Sequence, residues 1–239
     1  MSLSQKYALE VETFVRVCHR LARNMYVTSF GGNLAWKLEE NLILITPTML
    51  NKGDVQTEDV VFIDLQGKVV EGKRRPTGET PMYVKFFNER PDITSVLHCH
   101  PPAVCAMAIM KGKNWLMRPF YPETTTEVGP VPVVPYGEPL TEELAKNFSP
   151  YLQKYDSFIM ENHGLVTMTR GDIYWTAMTV ELLESTAKSL LYALGAGELK
   201  ELSKDAVTNL GNVMTKRNVP LMGAPGVNKS LEDIFFPEK

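Results

Sequence analysis

The stretch ITSVLHCHPPAV, residues 93–104, sets two histidines on either side of one cysteine, immediately before a proline pair. The chain has only four histidines, so half of them stand here. Residues 93–97 are largely apolar and β-branched, which predicts a buried strand. Alternate side chains of a strand share a face and stand about 6–7 Å apart. His98 and His100 are therefore expected on one face and Cys99 on the other. Two imidazoles so placed can reach one metal ion through bonds of about 2.0–2.1 Å. A pair of hydrogen-bonded histidines ending a strand is the alternative, and the pair alone leaves both open.

Upstream, residues 5–24 repeat apolar positions at helical spacing (Ala8, Val11, Phe14, Val15, Cys18, Leu21, Ala22), which predicts one amphipathic helix. His19 falls beside that stripe and is read as a boundary residue without a functional role. Short strand-like runs follow at 33–38, 41–46 and 59–65, and a QGK turn before 69–72 predicts a hairpin. Residues 80–90 predict a helix with Thr80 as N-cap and Pro81 at its first position. Downstream of the histidines come a helix after Pro101-Pro102 and an extended, proline-rich VGPVPVVPY (128–136), which fits an edge strand or a loop. A helix from Thr141 to about Tyr151 leads to SFIMENHG (157–164) and LVTMTR (165–170). Helices over about 172–194 and 198–216 follow, then a Pro- and Gly-containing tail from about 218. No linker, charge run or repeat divides the chain. The expectation is a single domain over 1–239, an α/β protein with a central, mainly antiparallel sheet covered by helices.

The 239 residues are 44% hydrophobic and 22% charged, enough for one sizeable core. A formal net charge of −3 argues against a nucleic-acid or membrane-surface protein. No apolar run approaches the roughly 20 residues that span a bilayer. Three cysteines, Cys18, Cys99 and Cys105, are too few for a disulfide framework and read as thiols in a reducing compartment, so the cytoplasm is expected.

A third histidine, His163, stands in MENHGLV, at a strand-to-strand turn that Gly164 is expected to permit. In isolation it could equally be a solvated turn residue; three strand-end histidines together match the open donor set of a catalytic metal. Glu79, in RPTGETP, is either a helix-start residue favoured by the dipole or a metal-linked base, and spacing does not choose. Three loops are candidates for binding an anion: SFGGNLA (29–35), ITPTML (45–50) and RPTGE (75–79). They offer Gly32, Asn33, Thr48, Thr77 and Gly78 as backbone, amide and hydroxyl donors.

The order GGN, ITPT, PTGE, HCH, NHG resembles that of the class II aldolase family, which includes fuculose-1-phosphate and rhamnulose-1-phosphate aldolases, ribulose-5-phosphate 4-epimerase and the adducin head. The likeness runs from about residue 5 to 216. It implies a three-layer αβα fold and a homotetramer with active sites between subunits. It also implies a Zn2+ ion held by His98, His100 and His163; another divalent metal such as manganese or cobalt can also occupy a mixed histidine–carboxylate site. Glu79 matches the family carboxylate that ligates the resting metal and moves the proton in catalysis. Tyr121, reached by ungapped alignment back from Tyr136, matches a tyrosine that donates a proton into the neighbouring subunit; an interface aromatic is the alternative for it.

The implied reaction is retro-aldol cleavage of a small ketose phosphate to dihydroxyacetone phosphate and an aldehyde, through a metal-stabilised enediolate. The sequence departs from the fuculose-type pattern around the phosphate. Thr77 and Gly78 replace a serine pair, Met49 a glycine, Phe30 a hydroxyl residue and Ala35 a serine. The same chemistry would serve a decarboxylase of a phosphorylated 3-keto acid or a dehydratase of a ketose phosphate. An adducin-like, non-catalytic module is a distant alternative, because such a module has no reason to keep three histidines and the glutamate.

Overall fold

The computed structural model describes residues 1–237. Its centre is an eight-stranded sheet in the order β4-β3-β2-β1-β5-β8-β7-β6. The strands are β1 (Asn33–Glu39), β2 (Leu42–Ile45), β3 (Val61–Ile63), β4 (Val69–Glu71), β5 (Ser95–Cys99), β6 (Val133–Val134), β7 (Ser157–Met160) and β8 (Gly164–Thr169). Every pairing is antiparallel except β6 with β7. The histidine strand lies in the middle, between β1 and β8. The proline-rich stretch yields only the two-residue β6 at the sheet edge, where missing N–H groups do least harm.

Strand alternation sorts the core into two apolar clusters. Leu34, Leu44, Phe62, Leu97, Cys99 and Leu165 join one, with helices α2 (Ala8–Arg23), α4 (Pro102–Ala108) and α7 (Ile173–Ala196). Ala35, Ile43, Val61, Val96, Val166 and Met168 join the other, with α3 (Thr80–Glu89) and α6 (Glu142–Asn147). Each fully buried Leu, Ile or Phe contributes about 1.5–3 kcal/mol. By the same alternation, His98 and His100 turn toward the α3 and α6 side and Cys99 turns away.

Several helix boundaries differ from expectation. The helix expected over 5–24 is broken at Tyr7 into α1 (Leu3–Lys6) and α2. Glu71 accepts hydrogen bonds from the Leu3 and Ser4 amides and anchors α1 separately. Helix α5 (Pro122–Glu127) follows Tyr121. Helix α8 (Lys204–Lys216) begins later than expected because Ser203 caps it and the Leu202 amide is drawn to the Pro119 carbonyl. The tail carries α9 (Leu231–Phe235), which packs on α8, while Asn228 and Ala224 bond to the Lys154 and Gln153 carbonyls. Among the described residues no helix is long and apolar enough to cross a membrane. Cys18 and Cys99 are buried, and all three cysteines are free thiols.

Candidate active site

The three predicted histidines converge. His98, His100 and His163 offer ring nitrogens that all lie within 4.8 Å of one another. His98 comes from the last turn of alternation in β5, and His100 follows it with its amide held by the Tyr26 carbonyl at 2.7 Å. His163 sits in the turn between β7 and β8. The left-handed residue of that turn is Asn162 (φ 54°), whose short polar side chain tolerates that conformation; Gly164 was expected to take this part. Gly164 serves a different need. A Cβ there would lie 2.7 Å from both the Cys99 carbonyl oxygen and the His100 ring, so only glycine lets β8 close on the histidine strand.

Glu79 reaches the same place. It is the N-cap residue of α3, one position before the expected cap, yet its side chain makes no capping hydrogen bond. Instead its Oε2 lies 3.7 Å from His98 Nε2 and accepts a 2.8 Å hydrogen bond from Asn33 Nδ2. Asn33 opens β1 directly opposite His98. Its carboxamide is therefore committed to Glu79 and to Tyr83, whose hydroxyl lies 2.6 Å from Asn33 Oδ1 and 2.6 Å from its carbonyl.

The electrostatics fit a cation. Burial, with the charges of neighbouring histidines and Lys52, holds His98 at a pKa of about 3 and His100 at about 3. Burial likewise lowers His163. All three rings are neutral near pH 7, the state that ligates metals. His98 Nδ1 is 3.0 Å from the Leu165 carbonyl, which only accepts, so Nδ1 carries the proton and Nε2 presents a lone pair. That lone pair and the Glu79 oxygen are two acceptors facing each other without a proton between them. His163 Nδ1 is buried and has no hydrogen-bond partner. A divalent cation satisfies all of these groups, and His98, His100, His163 and Glu79 are the residues able to hold it.

The other expected residues are spread around this centre. Gly32 is left-handed (φ 70°), and a Cβ there would meet Val27 at 2.4 Å. Thr77 is buried and its hydroxyl accepts from the Glu79 amide at 3.3 Å. Thr48 is half-buried, with its amide on the Arg75 carbonyl. Gly78 is exposed beneath Leu140, and Phe30 and Met49 are exposed beside the glycine and threonine loops. Tyr121 stands before α5, 41% exposed, and no hydrogen bond or ring contact joins it to the histidines of the same chain. His19 bonds the Val55 carbonyl through Nε2 and borders a separate cleft of about 940 Å3 lined by Arg16, Arg20 and Arg23.

Two residues of the surroundings escaped the sequence reading. Lys52 is buried, its ammonium donating to the Phe30 and Leu50 carbonyls at 3.1 and 2.9 Å and so tying two of the candidate anion loops together. Burial lowers its pKa. Nothing in the local pattern NKGD marks it as buried. Tyr83 had a readable signal, since it follows Glu79 by four positions and so shares its helix face.

The family model for the class II aldolase and adducin N-terminal domain matches residues 12–191. An L-fuculose phosphate aldolase of Methanococcus maripaludis is 33% identical over 180 residues, 75% of this chain and 95% of that protein. A 3-oxo-tetronate 4-phosphate decarboxylase of Pectobacterium atrosepticum is 29% identical over 187 residues, 77% of this chain and 84% of that protein. The crystal structure of YgbL from Klebsiella pneumoniae, described as a putative aldolase/epimerase/decarboxylase, superposes with a TM-score of 0.78 at 28% identity, covering 88% of this chain and all of that one.

Proposed function

The chain belongs to the family of class II aldolases and adducin N-terminal domains, and on that premise we propose that it is a metal-dependent lyase which breaks a carbon–carbon bond next to a carbonyl in a small sugar phosphate. The first reading is aldol cleavage of a ketose phosphate of the fuculose 1-phosphate type, giving dihydroxyacetone phosphate and an aldehyde. The observation that carries it is the pair of facing acceptors, His98 Nε2 and Glu79 Oε2, 3.7 Å apart beside two more neutral imidazoles.

A divalent cation held there, zinc in this reading, supplies Lewis-acid stabilisation for the negative charge that develops on the substrate oxygens. His98, His100 and His163 stay neutral and would hold the cation through their lone pairs. Glu79, a carboxylate at rest, would take the proton of the substrate hydroxyl beside the carbonyl and hand it to the donor carbon, which keeps the electron pair of the broken bond. The hydroxyl that becomes the aldehyde gives its proton to an acid–base group, and Tyr121 of a neighbouring subunit is the candidate, which its exposed position at the start of α5 permits. Gly32, Thr48, Thr77 and Gly78 line the place for the phosphate, while Asn33 serves Glu79. The assembly in this reading is a cytoplasmic homotetramer of single-domain, three-layer subunits.

A second reading, decarboxylation of a phosphorylated 3-oxo acid, is favoured by the similarity to the Pectobacterium decarboxylase and by the exposed apolar Phe30 and Met49 beside the phosphate loops. There carbon dioxide leaves, and Glu79 protonates the carbon it left. One assay separates the two. Zinc-loaded protein is given fuculose, rhamnulose, ribulose and xylulose 1-phosphates together with 3-oxo-tetronate 4-phosphates. Both reactions leave dihydroxyacetone phosphate, so the co-product decides: its chelator-sensitive release with an equivalent of aldehyde from a ketose 1-phosphate establishes the aldolase, and carbon dioxide without an aldehyde fragment from the 3-oxo acid establishes the decarboxylase.

A further inference from the structure

We infer that Tyr83 is a positioning residue which, through Asn33, holds the Glu79 carboxylate against the histidine cluster. The inference rests on the metal-centre reading above and extends it to a residue that touches neither substrate nor metal.

Tyr83 is fully buried on α3, and its hydroxyl lies 2.6 Å from both the backbone carbonyl and the Oδ1 of Asn33. Asn33 Nδ2 lies 2.8 Å from Glu79 Oε2. The carboxylate contact sets which way round the carboxamide lies, and Tyr83 supplies a donor to the oxygen this leaves on the far side. A hydroxyl facing the backbone carbonyl and Oδ1 can satisfy either oxygen, and a carboxylate can only accept, so the amide nitrogen must face Glu79. Without the Tyr83 hydroxyl, Oδ1 is a buried acceptor with no donor. A half-turn of the carboxamide then costs nothing on that side, and it sets oxygen against oxygen at Glu79. Burial also raises the Tyr83 pKa well above the ordinary phenol value, so the hydroxyl keeps its proton and remains a donor. Glu79 makes no helix-capping bond, so the Asn33 amide is what turns its side chain toward His98.

The test is a cobalt(II) titration followed by the visible d–d absorption, which reports the donor set directly and needs no substrate. The parent chain, Tyr83→Phe, Asn33→Ala, Glu79→Gln and the double variants are compared. Tyr83→Phe is expected to weaken cobalt binding about tenfold, the lower end of effects from groups that orient metal ligands. It should also move the band toward that of Glu79→Gln. In the Glu79→Gln background Tyr83→Phe should change neither affinity nor band, and Tyr83→Phe with Asn33→Ala should do no more than either alone. A merely structural hydroxyl would lower the melting temperature and leave the band in place. An unmoved band, or a shift undiminished in the Glu79→Gln background, overturns the inference alone; a parent chain that binds no cobalt overturns the metal-centre reading with it. Should Tyr83→Phe fail to fold, Asn33→Ala decides, because it cuts the same chain of hydrogen bonds from the other side.

Discussion

Removing His98 or His163 takes one nitrogen from a donor set confined within 4.8 Å. We expect His98→Ala and His163→Ala to lose tight metal binding while the chain stays folded; stoichiometric zinc in both purified variants, by elemental analysis, would refute the site. Glu79→Gln should keep its metal and lose turnover by about 10²–10⁴, the usual worth of a positioned acid–base group, and near-normal turnover would remove Glu79 from the chemistry. The histidine pair was readable because a strand has a period of two and the sequence puts apolar residues before it. Glu79 was not decidable, because helix-start and site glutamates look alike in sequence and only the missing capping bond separates them. Lys52 was invisible, since its burial depends on two loops closing over it from positions that no local pattern links.

At the level of elements, the strands and most helices were legible, and the misses fall where tertiary contacts override propensity. The α2 helix splits at Tyr7 because Glu71, on a distant strand, captures the Leu3 and Ser4 amides. The β7–β8 turn was placed correctly, but its left-handed position is Asn162, and Gly164 is small because β5 lies against it. This yields a sharp prediction. Gly164→Ala puts a methyl 2.7 Å from the Cys99 carbonyl, a backbone atom that cannot step aside cheaply. It should destabilise by about 1–3 kcal/mol and weaken metal binding by displacing His100. Denaturant unfolding and a metal titration on the same variant check both halves, and an unperturbed affinity would show that β8 does not set the His100 ring.

For the whole molecule, the sheet order was not legible, because β1, β5 and β8 become neighbours only through pairings between distant segments. That arrangement buries two imidazoles with pKa values near 3, below the ordinary histidine value of 6.5. Between those limits the unfolded chain binds protons that the metal-free native chain refuses, so stability falls as pH drops from about 6.5 toward 3. Each imidazole contributes a slope of up to about 1.4 kcal/mol per pH unit. Chemical unfolding of metal-free protein at several pH values measures this, and His98→Gln should flatten it. The donors also come from the start of α3, the end of β5 and the β7–β8 turn, so no local segment can assemble them. A cation that needs all of them has nothing to grip until β8 has docked, a step we expect to follow the rate-limiting ensemble of folding. Its presence should therefore leave the refolding rate unchanged and slow unfolding, making the ion a latch on the finished molecule and not a template for building it.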